Sequence, residues 1–169
     1  FPPSEDKKNE WGCLPMWGFA EITVSENDEL KAGERVFGYF PPAKFLTLSP
    51  IRISNHSFFD GKDHRKELPA VYNNYLRLSG EEGYEKSKDN IRALLFPLHI
   101  TAFCLCDSLE EDSYLGASQV IIISASSKTA IGLAQGLAEK DRTPKIVGLT
   151  SKNNVDFVLS LGCYEEVIS

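Results

Sequence analysis

The residues best placed for chemistry are Ser124-Ala125-Ser126-Ser127-Lys128-Thr129, a short polar run between two apolar segments. Before it lies Gln119-Val120-Ile121-Ile122-Ile123, a β-branched stretch of the kind buried on both faces of a parallel sheet. After it, Ala130 to Ala138 reads as an apolar helix opening directly from the turn. A turn between a buried strand and a helix N-terminus presents unpaired N–H groups and the positive end of the helix dipole, which together attract phosphate. The hydroxyls of Ser126, Ser127 and Thr129 and the ammonium of Lys128 would add side-chain donors. Lys128-Thr129 does not complete a P-loop. That motif needs glycines at 122 and 127, which hold Ile122 and Ser127.

The alternation continues beyond the turn. Lys145 to Thr150 predicts a second strand, Val155 to Leu161 a second helix, and Glu166-Val167-Ile168 a third strand. The fold class expected is therefore α/β, with this stretch a βαβαβ half of a Rossmann dinucleotide-binding domain. An NAD site carries Asp or Glu at the end of its second strand, about 20 residues beyond the turn, for the ribose 2′-OH. Here the strand ends Leu149-Thr150-Ser151-Lys152, and the next acid is Asp156 inside the following helix. Hydroxyls and a cation there suit the 2′-phosphate of NADP, with NAD the weaker candidate. The same residues also read as a solvated loop with a helix N-cap at Ser151 or Asn153.

The segment Val120 to Ala134 resembles the coenzyme turn of the medium-chain dehydrogenase/reductase superfamily, commonly G-x-x-G-x-x-G, with Ser124, Ser127 and Ala130 at the glycine positions. Ala130 is a mild change, whereas serines at 124 and 127 reach positive φ less readily than glycine. Upstream, Ala32 to Phe40 resembles the superfamily's G-D-R-V-x-G stretch, and Ala43 to Pro50 the strand that follows it. Thr101-Ala102-Phe103 resembles the opening of the helix that crosses between domains. Trp17 to Ala20, Gly38 to Pro41 and Leu68 to Tyr75 resemble an uncharacterised branch of the superfamily.

The resemblance implies a partial GroES-like β-barrel over residues 1–90, with an insertion at about 55–90. An inter-domain helix and the first Rossmann half would follow over 91–169. It also implies a zinc-independent NADP-linked oxidoreductase acting on a carbonyl, enone or quinone, and a homodimer. Phosphate contacts would fall to Ser124 and Ser126 through Ala130, and the 2′-phosphate to Thr150, Ser151 and Lys152. Thr101 would lie on the nicotinamide side. The alternative is a non-catalytic nucleotide-binding or interaction domain with a degenerate turn.

The expected insertion contains the charged run Asp63 to Glu67 and the aromatic, amide-rich Pro69 to Leu78. Tyr72 and Asn73 are its candidate catalytic residues, suited to orienting a carbonyl or donating a proton. A lid or dimer arm is the structural alternative. A net charge of −6 argues against a nonspecific nucleic-acid binder. No run of consecutive apolar residues reads as a membrane span and no signal peptide is visible, so a cytoplasmic protein is expected. Cys13, Cys104, Cys106 and Cys163 lack zinc-site spacing, and His99 between Leu98 and Ile100 reads as a core residue, so no metal is expected. The chain starts at Phe1 and stops after the third coenzyme strand, which reads as an internal fragment of a larger enzyme, inactive alone.

Overall fold

The computed structural model describes residues 12–169; the opening of the first expected domain, residues 1–11, lies outside the described residues. The chain is a mixed α/β protein with two compact units, Phe1–Ala93 and Leu94–Ser169.

The first unit is an antiparallel sheet of β1 (Met16–Glu21), β2 (Arg35–Phe40), β3 (Pro50–Ile51), β4 (Ser57–Asp60) and β5 (Asn74–Arg77). The strand order is β1-β2-β5-β4-β3. Gly33, at φ +86°, turns the chain between β1 and β2, and its N–H donates to the Ile22 carbonyl at 2.8 Å. Gly38 lies under the Tyr75 ring, where a Cβ would come within 2.4 Å of Cδ1, so only glycine lets β5 pack there. Phe58 stacks on the other side of Tyr75 at 5.4 Å between centroids. The segment at about 55–90, expected as an insertion, supplies β4 and β5, and β5 is the central strand. One expectation is corrected here. The strand expected over Ala43 to Pro50 shrinks to Pro50–Ile51, because Pro41 and Pro42 remove donors at its start and no strand pairs with 43–49.

Charged groups hold this unit's loops from inside. Arg77 on β5 grips Glu34 through Nε at 2.5 Å and Nη2 at 3.0 Å, and also donates to the Ser54 and Glu29 carbonyls. Burial alone would raise the Glu34 pKa, but the bonds from Arg77 and Ser79 outweigh it and hold the carboxyl below its ordinary range. Arg65, 2% exposed, donates to the Tyr75 hydroxyl at 2.5 Å and to the Tyr72 carbonyl, and pairs with buried Asp60 at 3.5 Å.

Helix α1 (Asp89–Glu111) begins at the end of the first unit and runs into the second. By length and composition it is apolar enough to cross a membrane, contrary to the sequence expectation. Its packed stripe runs from Ala102 to Cys106. His99 is exposed, so it is not the core residue that the sequence suggested, and Cys104 is exposed as well.

The second unit is a parallel sheet in the order β6 (Gln119–Ile123), β7 (Lys145–Leu149), β8 (Glu166–Ile168). Helices α2 (Lys128–Ala138) and α3 (Val155–Ser160) connect the strands. Ile122, Ala130, Ala134, Leu137, Ile146 and Val158 form the core. Gly132 and Gly136 of α2 admit α1 closely: a Cβ at Gly132 would sit 3.1 Å from Ala102 Cβ, and one at Gly136 3.4 Å from Cys106 Sγ. On the opposite pleat Ile121, Ile123, Leu149 and Ile168 remain exposed.

Candidate functional site

Parallel pairing puts the carboxyl ends of β6, β7 and β8 at one end of the sheet. In open α/β sheets that end is where ligands bind. The 124–127 turn after β6 is tied to the end of β7 by the Ala125 N–H, which donates to the Leu149 carbonyl at 3.0 Å. The Thr150 N–H donates to the Ile168 carbonyl at 3.0 Å and extends the ladder by one rung.

The two serines at expected glycine positions behave differently. Ser124 adopts φ +55°, the left-handed backbone that glycine would take without cost. Ser127 has φ −76° and ψ 150°, needs no glycine, and caps α2: its Oγ accepts from the Ala130 N–H at 3.3 Å. Ala130 is buried in the core, so its contribution to a ligand would be backbone only. The Lys128 and Thr129 N–H groups have no acceptor among the described residues and are open to an anion. The Lys128 side chain is exposed and enters no ion pair among the described residues.

Hydroxyls converge across the mouth. Ser126 Oγ accepts from Thr150 Oγ1 at 3.4 Å and from Asn154 Nδ2 at 3.1 Å. The same amide donates to Ser151 Oγ at 3.1 Å. Lys152 follows, exposed. Beneath the turn, the Tyr164 hydroxyl donates to the Ala125 carbonyl at 3.0 Å, and burial pushes its pKa up to about 12, so it stays a neutral donor. Gly148 makes room for that ring, since a Cβ there would come within 2.9 Å of Tyr164 Cδ1.

Of the residues singled out from sequence, Ser124, Ser126, Ser127, Lys128, Thr129 and Ala130 share one strand-to-helix turn, and Ser126 meets Thr150 directly. Ser151 joins them through Asn154. Asn154 and Tyr164 were missed. Both act through tertiary contacts spanning 28 and 39 residues, for which local spacing gives no signal. Thr101 is exposed on α1, its hydroxyl returned to the Pro97 carbonyl, and no hydrogen bond links it to the turn.

Tyr72 and Asn73 belong to the first unit. Asn73 is buried and spends its amide on the Arg65 carbonyl at 2.8 Å, bracing the 65–75 loop. Tyr72 is half-exposed in an aromatic cluster with Tyr39 at 4.9 Å and Trp17 at 6.2 Å between centroids. Among the described residues no group of three His, Cys, Asp or Glu side chains is placed to hold a metal.

The geometry thus defines a two-unit α/β protein with a polar, donor-rich mouth at the carboxyl ends of a parallel sheet. The chain belongs to the family described as a protein of unknown function (DUF2855), whose pattern matches residues 1–169. No curated protein matches it.

Proposed function

We propose that the second unit is the first half of a Rossmann dinucleotide domain and binds NADP. The first unit would be part of a GroES-like catalytic domain in a zinc-free, quinone-reductase-like oxidoreductase of the medium-chain dehydrogenase/reductase type. The substrate would be a carbonyl, enone or quinone. The observation that carries this reading is the strand-end cluster: two open N–H groups at the start of α2, the hydroxyls of Ser126, Thr150 and Ser151, and the exposed Lys128 and Lys152, with no carboxylate bonded to any of them among the described residues. Ser124 at φ +55° supports it further, because the turn keeps the backbone shape of a glycine-bearing one.

When bound, the nicotinamide would supply the hydride. The chain's own residues would hold and orient the dinucleotide: the turn at 124–130 its pyrophosphate, and Thr150, Ser151 and Lys152 its 2′-phosphate. Fluorescence titration with NADPH and then NADH tests the reading, with tighter binding of NADPH expected. Lys128→Ala should weaken NADPH by about 1–2 kcal/mol through loss of a charge-assisted contact. Unchanged affinity would assign the pyrophosphate to the backbone N–H groups alone.

A cytoplasmic homodimer completes the proposal. Four free thiols suit a reducing compartment. Strand β6 pairs only with β7 among the described residues and carries no charged side chain. An uncharged open edge beside exposed Ile121 and Ile123 favours strand addition by a second copy. Light scattering on the eluting species would read the mass, and a sharply melting monomer would refute the dimer. The exposed apolar pleat also favours a second reading, an interaction domain without catalysis. Absence of any dinucleotide binding would select that reading.

A further inference from the structure

We infer that Asn154 is a positioning residue that decides which dinucleotide the strand-end site accepts, an inference that rests on the dinucleotide reading above. Its Nδ2 gives one hydrogen to Ser126 Oγ and the other to Ser151 Oγ, both at 3.1 Å. Thr150 Oγ1 adds a second bond to Ser126 Oγ at 3.4 Å. A hydroxyl has one hydrogen and two lone pairs. With its lone pairs engaged by Asn154 and Thr150, Ser126 still has its own hydrogen to donate. Ser151, having accepted an Asn154 hydrogen, also keeps its own hydrogen to donate, with one lone pair left. No acceptor among the described residues takes either one.

The amide therefore leaves a hydrogen to donate on each of two hydroxyls, one in the turn after β6 and one after β7, with Lys152 next to Ser151 in the chain. A phosphate monoester offers only acceptors and matches this set. A ribose diol brings its own hydrogens and calls for an acceptor such as a carboxylate at the strand end. Replacing the amide by a carboxylate of nearly the same shape inverts the arrangement. Asn154→Asp would accept from Ser126 and Ser151, draw both hydrogens inward, and leave oxygen lone pairs for a diol.

The test is the ratio of NADPH to NADH affinity, by fluorescence titration, with the melting temperature followed in parallel. Asn154→Asp should lower that ratio by about tenfold or more, mainly through loss of NADPH, and Asn154→Ala by about threefold. The added negative charge alone would also disfavour NADPH, so the Asp variant is repeated with Ser126→Ala and Ser151→Ala. The drop should shrink once the hydroxyls are gone, because their orientation no longer matters. An equal drop with and without them would overturn the inference in favour of simple charge. If the Asp variant does not fold, Asn154→Ala carries the test. A ratio unchanged in a folded variant, with both dinucleotides weakened in proportion, would make Asn154 merely structural while leaving the NADP reading intact. Failure of the unmutated protein to bind either dinucleotide would overturn both.

Discussion

In the first unit two ion pairs are inside: Arg65 and Asp60 have side chains 2% and 1% exposed, and Glu34 and Arg77 lie under loops that they bind. In the second unit the buried cluster is aliphatic apart from two thiols and Tyr164, and the polar side chains gather at the strand ends. The two sheets require this difference. A small antiparallel sheet with long connections needs side chains to fix those connections, because the ladder does not reach them. A parallel sheet carries its helices against its face, so its loops emerge short and their donors stay free. Polar groups locked to carbonyls stabilise; polar groups left open recognise. On the reading proposed above, structural work falls to the first unit and ligand chemistry to the second.

Arg65→Met would break this contrast most severely. It leaves Asp60 as an uncompensated buried charge and releases the Tyr72 carbonyl, at an expected cost of about 4 kcal/mol. Hydrogen exchange should show lost protection in β4 and β5 while β6 and β7 keep theirs. Equal loss in both units would mean that they fold as one cooperative block.

Glu34→Gln comes next, at about 2–3 kcal/mol. The folded-state pKa of Glu34 lies below its ordinary 4.5, so its contribution is fully present above that value and fades as pH falls through the folded one. The variant should be less stable at neutral pH and lose less on acidification. Denaturant midpoints at a series of acidic pH values would show whether this acid limb flattens.

Tyr164→Phe should cost about 1–2 kcal/mol, by leaving the Ala125 carbonyl without its buried donor. Its effect belongs to the second unit alone, and exchange of the 124–127 amides should quicken. The smallest effect has the opposite sign. Ser124→Gly should stabilise by about 1 kcal/mol, since φ +55° is costly for serine. Ser127→Gly should not stabilise, because that residue is a cap in extended backbone. A melting temperature raised by the change at 127 and not at 124 would reverse the roles assigned to the two serines.

The second unit was legible in the sequence because its signals are local. The β-branched run Val120 to Ile123 forms the expected strand, although only one of its faces is covered and Ile121 and Ile123 are exposed, and Lys145 to Leu149 and Glu166 to Ile168 form strands within a residue of the expected bounds. The first unit hid its central strand. Asn74-Tyr75-Leu76-Arg77 is short, mixes polar with apolar residues, and takes its place from partners far away in the chain. Within the site, the turn could be read from spacing, whereas the bridge from Asn154 to Ser126 exists only once β6 and β7 are paired. The exposure of His99 and Cys104 was hidden for a related reason: a run of apolar neighbours says that a helix is apolar, not which side is covered.

The seam between α1 and α2 has a practical consequence. Cys106 is 6% exposed against Gly136, and burial raises its thiol pKa, so an alkylating reagent reaches it only when the two helices part. Cys104, two positions earlier on the same helix and open to solvent, supplies the unhindered rate. The pair is a built-in stopwatch: the lag of one thiol behind the other, followed by mass spectrometry under native conditions, measures how often that seam breathes.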